Sequence, residues 1–209
     1  MKTLLLSSGG DFAIDHGLPL LGIPEGKIRL AYITTASKGE KDQGYISYYT
    51  RKMDGLGIDY EEIDIEGKRV RDLKSFLAEK NVIYVEGGNT FYLMKAVRES
   101  GFDAVVKGLV GKGIPYVGVS AGSYIACPTI EMATWKPNPD RNRYGLTDLS
   151  GLNLAPFMLS VHYRDEYKDI LKENISKCKY PVRILTDEQA ILIRGGKAEL
   201  VGNKKEITL

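Results

Sequence analysis

The sequence contains few of the residues that hold metals or build disulfide frameworks. Its 209 residues include two cysteines, Cys127 and Cys178, and two histidines. Two cysteines are too few for a disulfide framework, and no spacing of histidine, cysteine or carboxylate residues is typical of a metal site. We therefore expect neither a metal ion nor another cofactor to take part in the function.

Long apolar runs and an excess of one charge are missing as well. No apolar run approaches the ~18 residues of a membrane span, and the run within residues 1–6 is too short for a signal peptide. These features predict a cytoplasmic protein without a membrane partner. The 29 basic and 27 acidic residues leave a net charge of +2. Since no basic run carries interleaved aromatic residues, we expect no nucleic-acid partner.

The sequence instead has an ordinary globular composition with alternating strand and helix patterns. Hydrophobic residues make up 43% and charged residues 27% of the chain, and its length fits one domain covering residues 1–209. Apolar runs that predict strands lie at residues 3–6, 28–34, 60–65, 82–85, 114–117, 157–161, 182–185 and 190–193. Segments with helical spacing lie at residues 45–56, 72–80, 90–100 and 102–111. This alternation predicts an α/β fold with a doubly wound, mostly parallel sheet.

One long stretch, residues 134–150, has neither strand nor helix periodicity. It contains Trp135, two prolines and two arginines, Arg141 and Arg143. Long irregular segments in compact domains are often functional. We therefore expect this segment to lie over the active site.

The motif Gly118-Val119-Ser120-Ala121-Gly122 is the most informative part of the chain. An apolar run precedes it and a helix-like run follows it, which is the setting of a nucleophile elbow. Such an elbow holds its serine on a sharp, strained turn, and the flanking glycines let strand and helix pass closely. The amides at the start of the helix point at whatever the hydroxyl attacks. The motif predicts Ser120 as a nucleophile.

A serine hydroxyl needs a general base at neutral pH, and the sequence offers His16 and His162. His162 follows the apolar run at residues 157–161, which places it at the carboxyl edge of the predicted sheet together with Ser120. Active sites of open parallel sheets form at that edge. His162 is therefore the predicted base, and we interpret His16 as a surface or capping residue.

The base in turn needs a carboxylate that fixes its tautomer and stabilises the imidazolium. Asp187 and Glu188 follow another predicted strand, at residues 182–185, and can reach the same edge. Asp140 lies in the irregular segment. The spacing leaves all three acids open.

An oxyanion hole needs two backbone amides aimed at one point. Ala121, which follows the nucleophile, supplies one of them. The turn Gly87-Gly88-Asn89 is suited to supply the other, because glycine lets the backbone approach a substrate oxygen. Asn89 also stands where it can cap the helix that begins at Thr90.

Five short motifs occur along the chain in a specific order. They are Gly87-Gly88-Asn89-Thr90-Phe91, Gly118-Val119-Ser120-Ala121-Gly122, Ala126-Cys127-Pro128-Thr129-Ile130, Asn153-Leu154-Ala155-Pro156-Phe157 leading to His162, and Asp187-Glu188. In this order and spacing the chain resembles the aspartyl dipeptidase (peptidase E) and cyanophycinase family of serine peptidases. The resemblance covers most of the chain.

The resemblance implies a flavodoxin-like sheet related to class I glutamine amidotransferases. It implies Ser120 as the nucleophile, His162 as the base and Glu188 as the third member, since family members carry a glutamate in the matching turn. The amides of Gly88 and Ala121 are then the oxyanion donors.

The resemblance also implies a small peptide as the substrate. One branch of the family cleaves dipeptides with an N-terminal aspartate and uses arginine in its pocket. Candidate substrate contacts here are Asn89, Arg141, Arg143 and Arg164. Two alternatives stay open. One is a small esterase, which the order serine, histidine, acid disfavours. The other is a non-catalytic or differently specific module on a glutamine-amidotransferase-like fold.

Overall fold

The chain folds around a central β-sheet. A computed structural model describes residues 1–24, 26–137, 139–203 and 205–209. Its strands are β1 (Thr3–Ser7), β2 (Arg29–Ile33), β3 (Asp59–Ile63), β4 (Val82–Val85), β5 (Tyr116–Val119), β6 (Met158–Ser160), β7 (Val182–Ile184), β8 (Gln189–Arg194) and β9 (Lys197–Gly202). Within these ranges the main sheet has seven strands in the order β3-β2-β4-β5-β1-β8-β9.

Helices cover both faces of this sheet. They are α1 (Gly10–Phe12), α2 (Gly44–Gly55), α3 (Val70–Leu77), α4 (Thr90–Ser100), α5 (Phe102–Gly111), α6 (Ala121–Ala126) and α7 (Lys168–Ser176). The described helices are all too short or too polar to cross a bilayer. The prediction of an α/β fold with a mostly parallel sheet is confirmed, because β3, β2, β4, β5 and β1 are parallel neighbours.

The sheet differs from the prediction at the edge formed by β8 and β9. Strand β8 pairs antiparallel with β1, and β9, which was not predicted, pairs antiparallel with β8. Gly195 and Gly196, both with positive φ, form the two-residue turn of this hairpin. The predicted strands at residues 157–161 and 182–185 pair with each other as β6 and β7 in a separate small sheet. Apolar content reports the burial of a strand but neither its direction nor its partner.

The core consists of two layers, one on each face of the sheet. Leu4 and Leu6 belong to the layer that includes α4 and α5, whereas Leu5 belongs to the layer that includes α1 and α2. In β4, Ile83 and Tyr84 divide in the same way between the two layers. Side chains alternate along a strand, so a strand buried on both faces must be apolar throughout. The continuous apolar runs of the sequence have this origin.

The glycines of the serine motif allow α6 to lie against the neighbouring strands. A Cβ on Gly122 would stand 2.0 Å from the carbonyl oxygen of Val85 in β4. A Cβ on Gly118 would stand 2.5 Å from the carbonyl oxygen of Gly122. Both obstacles are backbone atoms, which cannot rotate away as a side chain can. The close approach of helix and strand therefore requires glycine at both positions.

We predict that Gly122→Ala lowers the free energy of unfolding by about 1–3 kcal/mol or more, because α6 must move away from β4. Gly108→Ala is the matched control: it lies in α5 with no atom within 4 Å of an added Cβ. That change should be neutral or stabilise the protein by up to about 1 kcal/mol. Urea unfolding of both variants measures the difference, and equal stabilities would contradict the packing argument.

Candidate active site

Ser120 occupies a strained turn between β5 and α6. Its backbone has φ 49° and ψ −107°, a conformation that residues with side chains rarely adopt. The amide of Ser120 donates to the carbonyl of Ser7 in β1 (3.1 Å), and the carbonyl of Ser120 accepts from the amide of Tyr124 (2.9 Å). The hydroxyl of Ser123 contacts the carbonyls of Ser7 and Gly118, each at 2.8 Å. The turn has the strand–serine–helix geometry of a nucleophile elbow.

His162 lies directly against this serine. Its Nε2 is 2.8 Å from the Oγ of Ser120. It follows β6 of the small sheet and has a positive φ of 54°. The structure thus brings the predicted nucleophile and the predicted base together, although His162 reaches Ser120 from the small sheet and not from the main one.

The carboxylate that meets the histidine belongs to Asp187. Its Oδ1 contacts Nδ1 of His162. Glu188 does not make the contact predicted for it: its exposed side chain lies in an open groove with His16, which packs on Phe12. In the structure, Asp187 and not Glu188 is therefore the acid in contact with His162.

The charge of Asp187 is stabilised by its contacts. The hydrogen bond with His162 is the main cause that lowers the pKa of Asp187 to about 2, although partial burial acts in the opposite sense. A carboxylate with this pKa is ionised at neutral pH. It can therefore hold the proton of Nδ1 and leave Nε2 free to accept a proton from Ser120.

Ser8 links these groups and was missed in the sequence. Its Oγ donates to Oδ1 of Asp187 at 2.8 Å and accepts from the backbone amide of His162 at 2.8 Å. The residue is fully buried at the carboxyl end of β1. The signal was present in the polar run Ser7-Ser8-Gly9-Gly10 that follows the first apolar strand, at the same edge as Ser120.

Two backbone amides next to Ser120 make no hydrogen bond within the part of the chain that the structure describes. They belong to Gly88 and Ala121. Ala121 begins α6 directly after the serine. A Cβ on Gly87 would stand 3.1 Å from the Cβ of Ser120, so the glycine turn also adjoins the serine. Unpaired amides in such a position are available to a negatively charged oxygen.

A cavity of about 310 Å³ opens beside Ser120 and His162. Its walls include Lys136 and Asp140 of the irregular segment, together with Arg164. Of the segment at residues 134–150, only the part from residue 136 to residue 140 lines this cavity among the described residues, and residue 138 is outside them. The volume is at the lower end of the range for small-molecule sites.

Lys136 is the best-buried cation of this cavity and was also missed in the sequence. Its Nζ donates to the carbonyl of Val161 and stands 6.0 Å from the centre of the Tyr167 ring. Burial lowers the pKa of Lys136 to about 8, while Asp140 and Asp187 act in the opposite sense. An irregular segment has no periodicity that could have assigned this side chain to the interior.

Only one of the four residues predicted to contact the substrate lines this cavity in the described part of the chain. Arg164 lines the cavity, but its side chain is 72% exposed and lies 3.7 Å from Glu166. In the described residues, Asn89, Arg141 and Arg143 are not on the cavity wall. Asn89 instead caps α4 by accepting from two of its amides (3.0 and 3.1 Å), and its Nδ2 donates to the carbonyl of Arg141 at 3.4 Å.

Asp140 binds the start of α4 and does not contact the histidine directly. Its Oδ2 accepts from the backbone amide of Thr90 at 2.7 Å, at the start of α4. Burial raises the pKa of Asp140, while the contacts with Thr90 and the charges of Lys136 and His162 oppose the shift. Asp140 therefore lines the cavity and interacts with the opposite charge of Lys136. Asp187, and not Asp140, is the acid in contact with the histidine.

A second cavity, of about 410 Å³, reaches the serine from the side of the glycine turn. Tyr45 and Glu86 form part of its wall. Glu86 is 1% exposed; its Oε1 accepts from the amide of Gly87 and its Oε2 from the hydroxyl of Tyr32, both at 2.7 Å. Burial raises the pKa of Glu86 to about 7.

The sequence matches the family model described as peptidase family S51 over residues 4–201. An uncharacterized peptidase from Listeria monocytogenes is 28% identical over 198 residues, which cover 93% of this chain and 96% of the relative. Peptidase E from Salmonella gallinarum is 34% identical over 160 residues, which cover 75% of this chain and 67% of the relative.

Solved structures have a similar fold. A provisionally assigned peptidase E from Listeria monocytogenes superposes with a TM-score of 0.81 at 27% identity, covering 97% of this chain and 98% of that protein. A peptidase from an acI-B1 actinobacterium, at 15% identity and a TM-score of 0.70, supports the fold alone. The sheet is flavodoxin-like, as the resemblance implied. With the family match over residues 4–201 and a serine elbow at its centre, the chain belongs to peptidase family S51 and is a serine-type peptidase.

Proposed function

We propose that the protein hydrolyses dipeptides or other short peptides through a triad of Ser120, His162 and Asp187. The observation that carries the proposal is the continuous chain of contacts from Oγ of Ser120 through the imidazole to Asp187. The strained backbone of the serine supports it, because strain of this kind is typical of a nucleophile elbow.

In the first half of the proposed reaction, Nε2 of His162 takes the proton of Ser120 while Oγ attacks the carbonyl carbon of the peptide. The carbonyl oxygen becomes an oxyanion that accepts from the amides of Gly88 and Ala121. His162 then gives its proton to the leaving amine, and the C–N bond breaks. An ester between Ser120 and the acyl part of the substrate remains.

In the second half, a water molecule gives a proton to His162 and attacks the ester carbon. The same two amides stabilise the second oxyanion. His162 returns the proton to Oγ of Ser120, and the carboxylic acid leaves. Asp187 stabilises the imidazolium in both halves through its contact with Nδ1.

The cavity beside Ser120 supports a preference for an acidic first residue. Lys136 is half-buried, and its ammonium group has backbone and aromatic contacts but no carboxylate at salt-bridge distance in the described chain. A buried cation is stabilised by a carboxylate that enters its cavity and is left unpaired by a neutral analogue. We therefore propose dipeptides with an N-terminal aspartate as the substrate class.

Removal of the nucleophile or the base tests the mechanism. Ser120→Ala and His162→Ala should each lower kcat for dipeptide hydrolysis by about 10⁴- to 10⁶-fold, and the double variant should lose little more, because the two groups act as one unit. A fluorophosphonate probe should label the wild type at Ser120. Multiplicative losses in the double variant, or turnover by a folded Ser120→Ala protein, would contradict the proposal. Turnover of esters with no detectable turnover of any peptide would favour the esterase alternative.

The two adjacent acids give a test of the corrected assignment. Asp187→Asn should lower kcat by about 10²- to 10⁴-fold, because the amide cannot stabilise the imidazolium. Glu188→Gln is the matched control and should change kcat by about twofold at most, as expected of an exposed side chain away from the histidine. The reverse ranking would return the role to Glu188.

If Lys136 selects the acidic substrate, the preference for an Asp dipeptide over an Asn dipeptide should depend on pH. The quantity to measure is kcat/KM for an Asp dipeptide divided by kcat/KM for its Asn counterpart, because titration of the substrate amine affects both and cancels. Lysine is charged below its pKa, and the aspartate side chain of the substrate is ionised above a pKa of about 3.9. The ratio should therefore be constant between about pH 5 and the pKa of Lys136 and fall once the pH exceeds about 8. Lys136→Met should bring the ratio close to that of a neutral pocket at every pH.

Arg164→Met is the control for this prediction. Its side chain is 72% exposed and near Glu166, so its removal should change the ratio less than removal of Lys136. A ratio near one in the wild type would refute the acidic preference and leave the serine mechanism intact. A larger effect at Arg164 than at Lys136 would assign the preference to the arginine.

A further inference from the structure

We propose that the hydroxyl of Tyr45 is a positioning group that aims the Gly88 amide at the oxyanion. The inference rests on the proposed serine mechanism and adds a residue to it. The Oη of Tyr45 donates to the carbonyl oxygen of Gly87 at 3.0 Å. This contact acts on the peptide unit that joins Gly87 to Gly88.

The planarity of the peptide bond links the two ends of that unit. The carbonyl of Gly87 and the amide of Gly88 belong to the same trans peptide, so they point in opposite directions. A partner that fixes the direction of the carbonyl therefore fixes the direction of the amide as well. Tyr45 can control the Gly88 amide in this way without touching the substrate.

The neighbouring peptide units are held by other groups. The amide of Gly87 donates to Oε1 of Glu86 at 2.7 Å, and that carboxylate is itself held by the Tyr32 hydroxyl. The amide of Asn89 donates to the carbonyl of Ala36 at 3.0 Å. For the peptide unit between Gly87 and Gly88, Tyr45 is the single hydrogen-bond partner among residues 1–24, 26–137, 139–203 and 205–209.

This middle unit is also the one with the greatest freedom to rotate. Both of its flanking residues are glycines, and Gly88 has a φ of 134°, a value that glycine adopts without strain. A peptide flip between two glycines would turn the amide away from the oxyanion and require no side chain to move. The hydrogen bond from Tyr45 opposes that flip.

Tyr45 is itself well placed for this task. It lies in the first turn of α2, and its ring packs edge-on against Tyr49 with ring centres 6.5 Å apart. Burial and the nearby carboxylate of Glu86 raise the pKa of Tyr45 above its ordinary value. The hydroxyl therefore keeps its proton and acts as a donor to the carbonyl of Gly87.

The test is Tyr45→Phe, which keeps the ring and removes the donor. We expect kcat for the best dipeptide substrate to fall about tenfold or more, approaching the about 10²-fold loss of a whole oxyanion donor, with KM within about twofold. Tyr48→Phe is the matched control: it removes another tyrosine hydrogen bond of 3.0 Å from the same helix, to the exposed Asp11. That variant should keep the wild-type kcat.

Two inhibitors separate orientation of the amide from damage to the pocket. The aldehyde made from the first residue of the dipeptide forms a tetrahedral adduct with Ser120, whereas the matching alcohol cannot. In Tyr45→Phe the aldehyde should bind more weakly by the same factor as kcat/KM falls, and the alcohol should bind as it does to the wild type. An equal weakening of both inhibitors, or an unchanged kcat, would overturn the inference.

The outcome is distinguishable from failure of the serine mechanism. That mechanism requires labelling of Ser120 in the wild type and loss of turnover in Ser120→Ala, neither of which involves Tyr45. If both hold while Tyr45→Phe has normal kcat and normal aldehyde binding, only the role of Tyr45 is refuted. If Ser120→Ala retains turnover, the proposed mechanism fails first.

Discussion

The disfavoured backbone of Ser120 is the constraint on which the site depends. A non-glycine residue at φ 49° and ψ −107° costs of the order of 1–3 kcal/mol and persists only where its surroundings fix it. Here the carbonyl of Ser7 in β1 accepts from the amide of Ser120, and the Ser123 hydroxyl contacts the same carbonyl and that of Gly118. The proposed nucleophile is therefore positioned by the register between β1 and β5. A shift of that register would release the strain and move the hydroxyl.

The histidine is positioned by a different part of the fold. It follows the small sheet of β6 and β7, while Ser120 and Ser8 follow strands of the main sheet. Ser8 joins the two parts, because its hydroxyl contacts both the backbone of His162 and the carboxylate of Asp187. One buried hydroxyl thus fixes the proposed base and its acid relative to the main sheet. The geometry of the proposed triad depends on the packing between the two sheets as well as on the turn at Ser120.

The predictable parts of the site were those with a local signal. Ser120 is in a five-residue motif with the right flanks, and His162 follows an apolar strand, so local pattern sufficed to select the two side chains that the structure brings into contact. The choice between Asp187 and Glu188 had no local signal, because it depends on a turn that Gln189 holds through its contacts with Thr186 and with residues beyond β9. Strand direction at β8 and the burial of Lys136 were missed for the same reason: both are decided by distant neighbours.

The charges around Ser120 support the proposal that the site combines catalysis with selection of an acidic substrate. Asp187 is ionised, and its carboxylate contacts the imidazole of His162. Asp140 and Lys136 share the adjoining cavity, where burial disfavours the charge of each and their opposite signs oppose that effect. An entering carboxylate adds a second negative charge near Lys136 and displaces water, which strengthens their attraction. In the proposed function, selection comes from the cost of leaving a partly buried ammonium group without a partner when a neutral substrate fills the cavity.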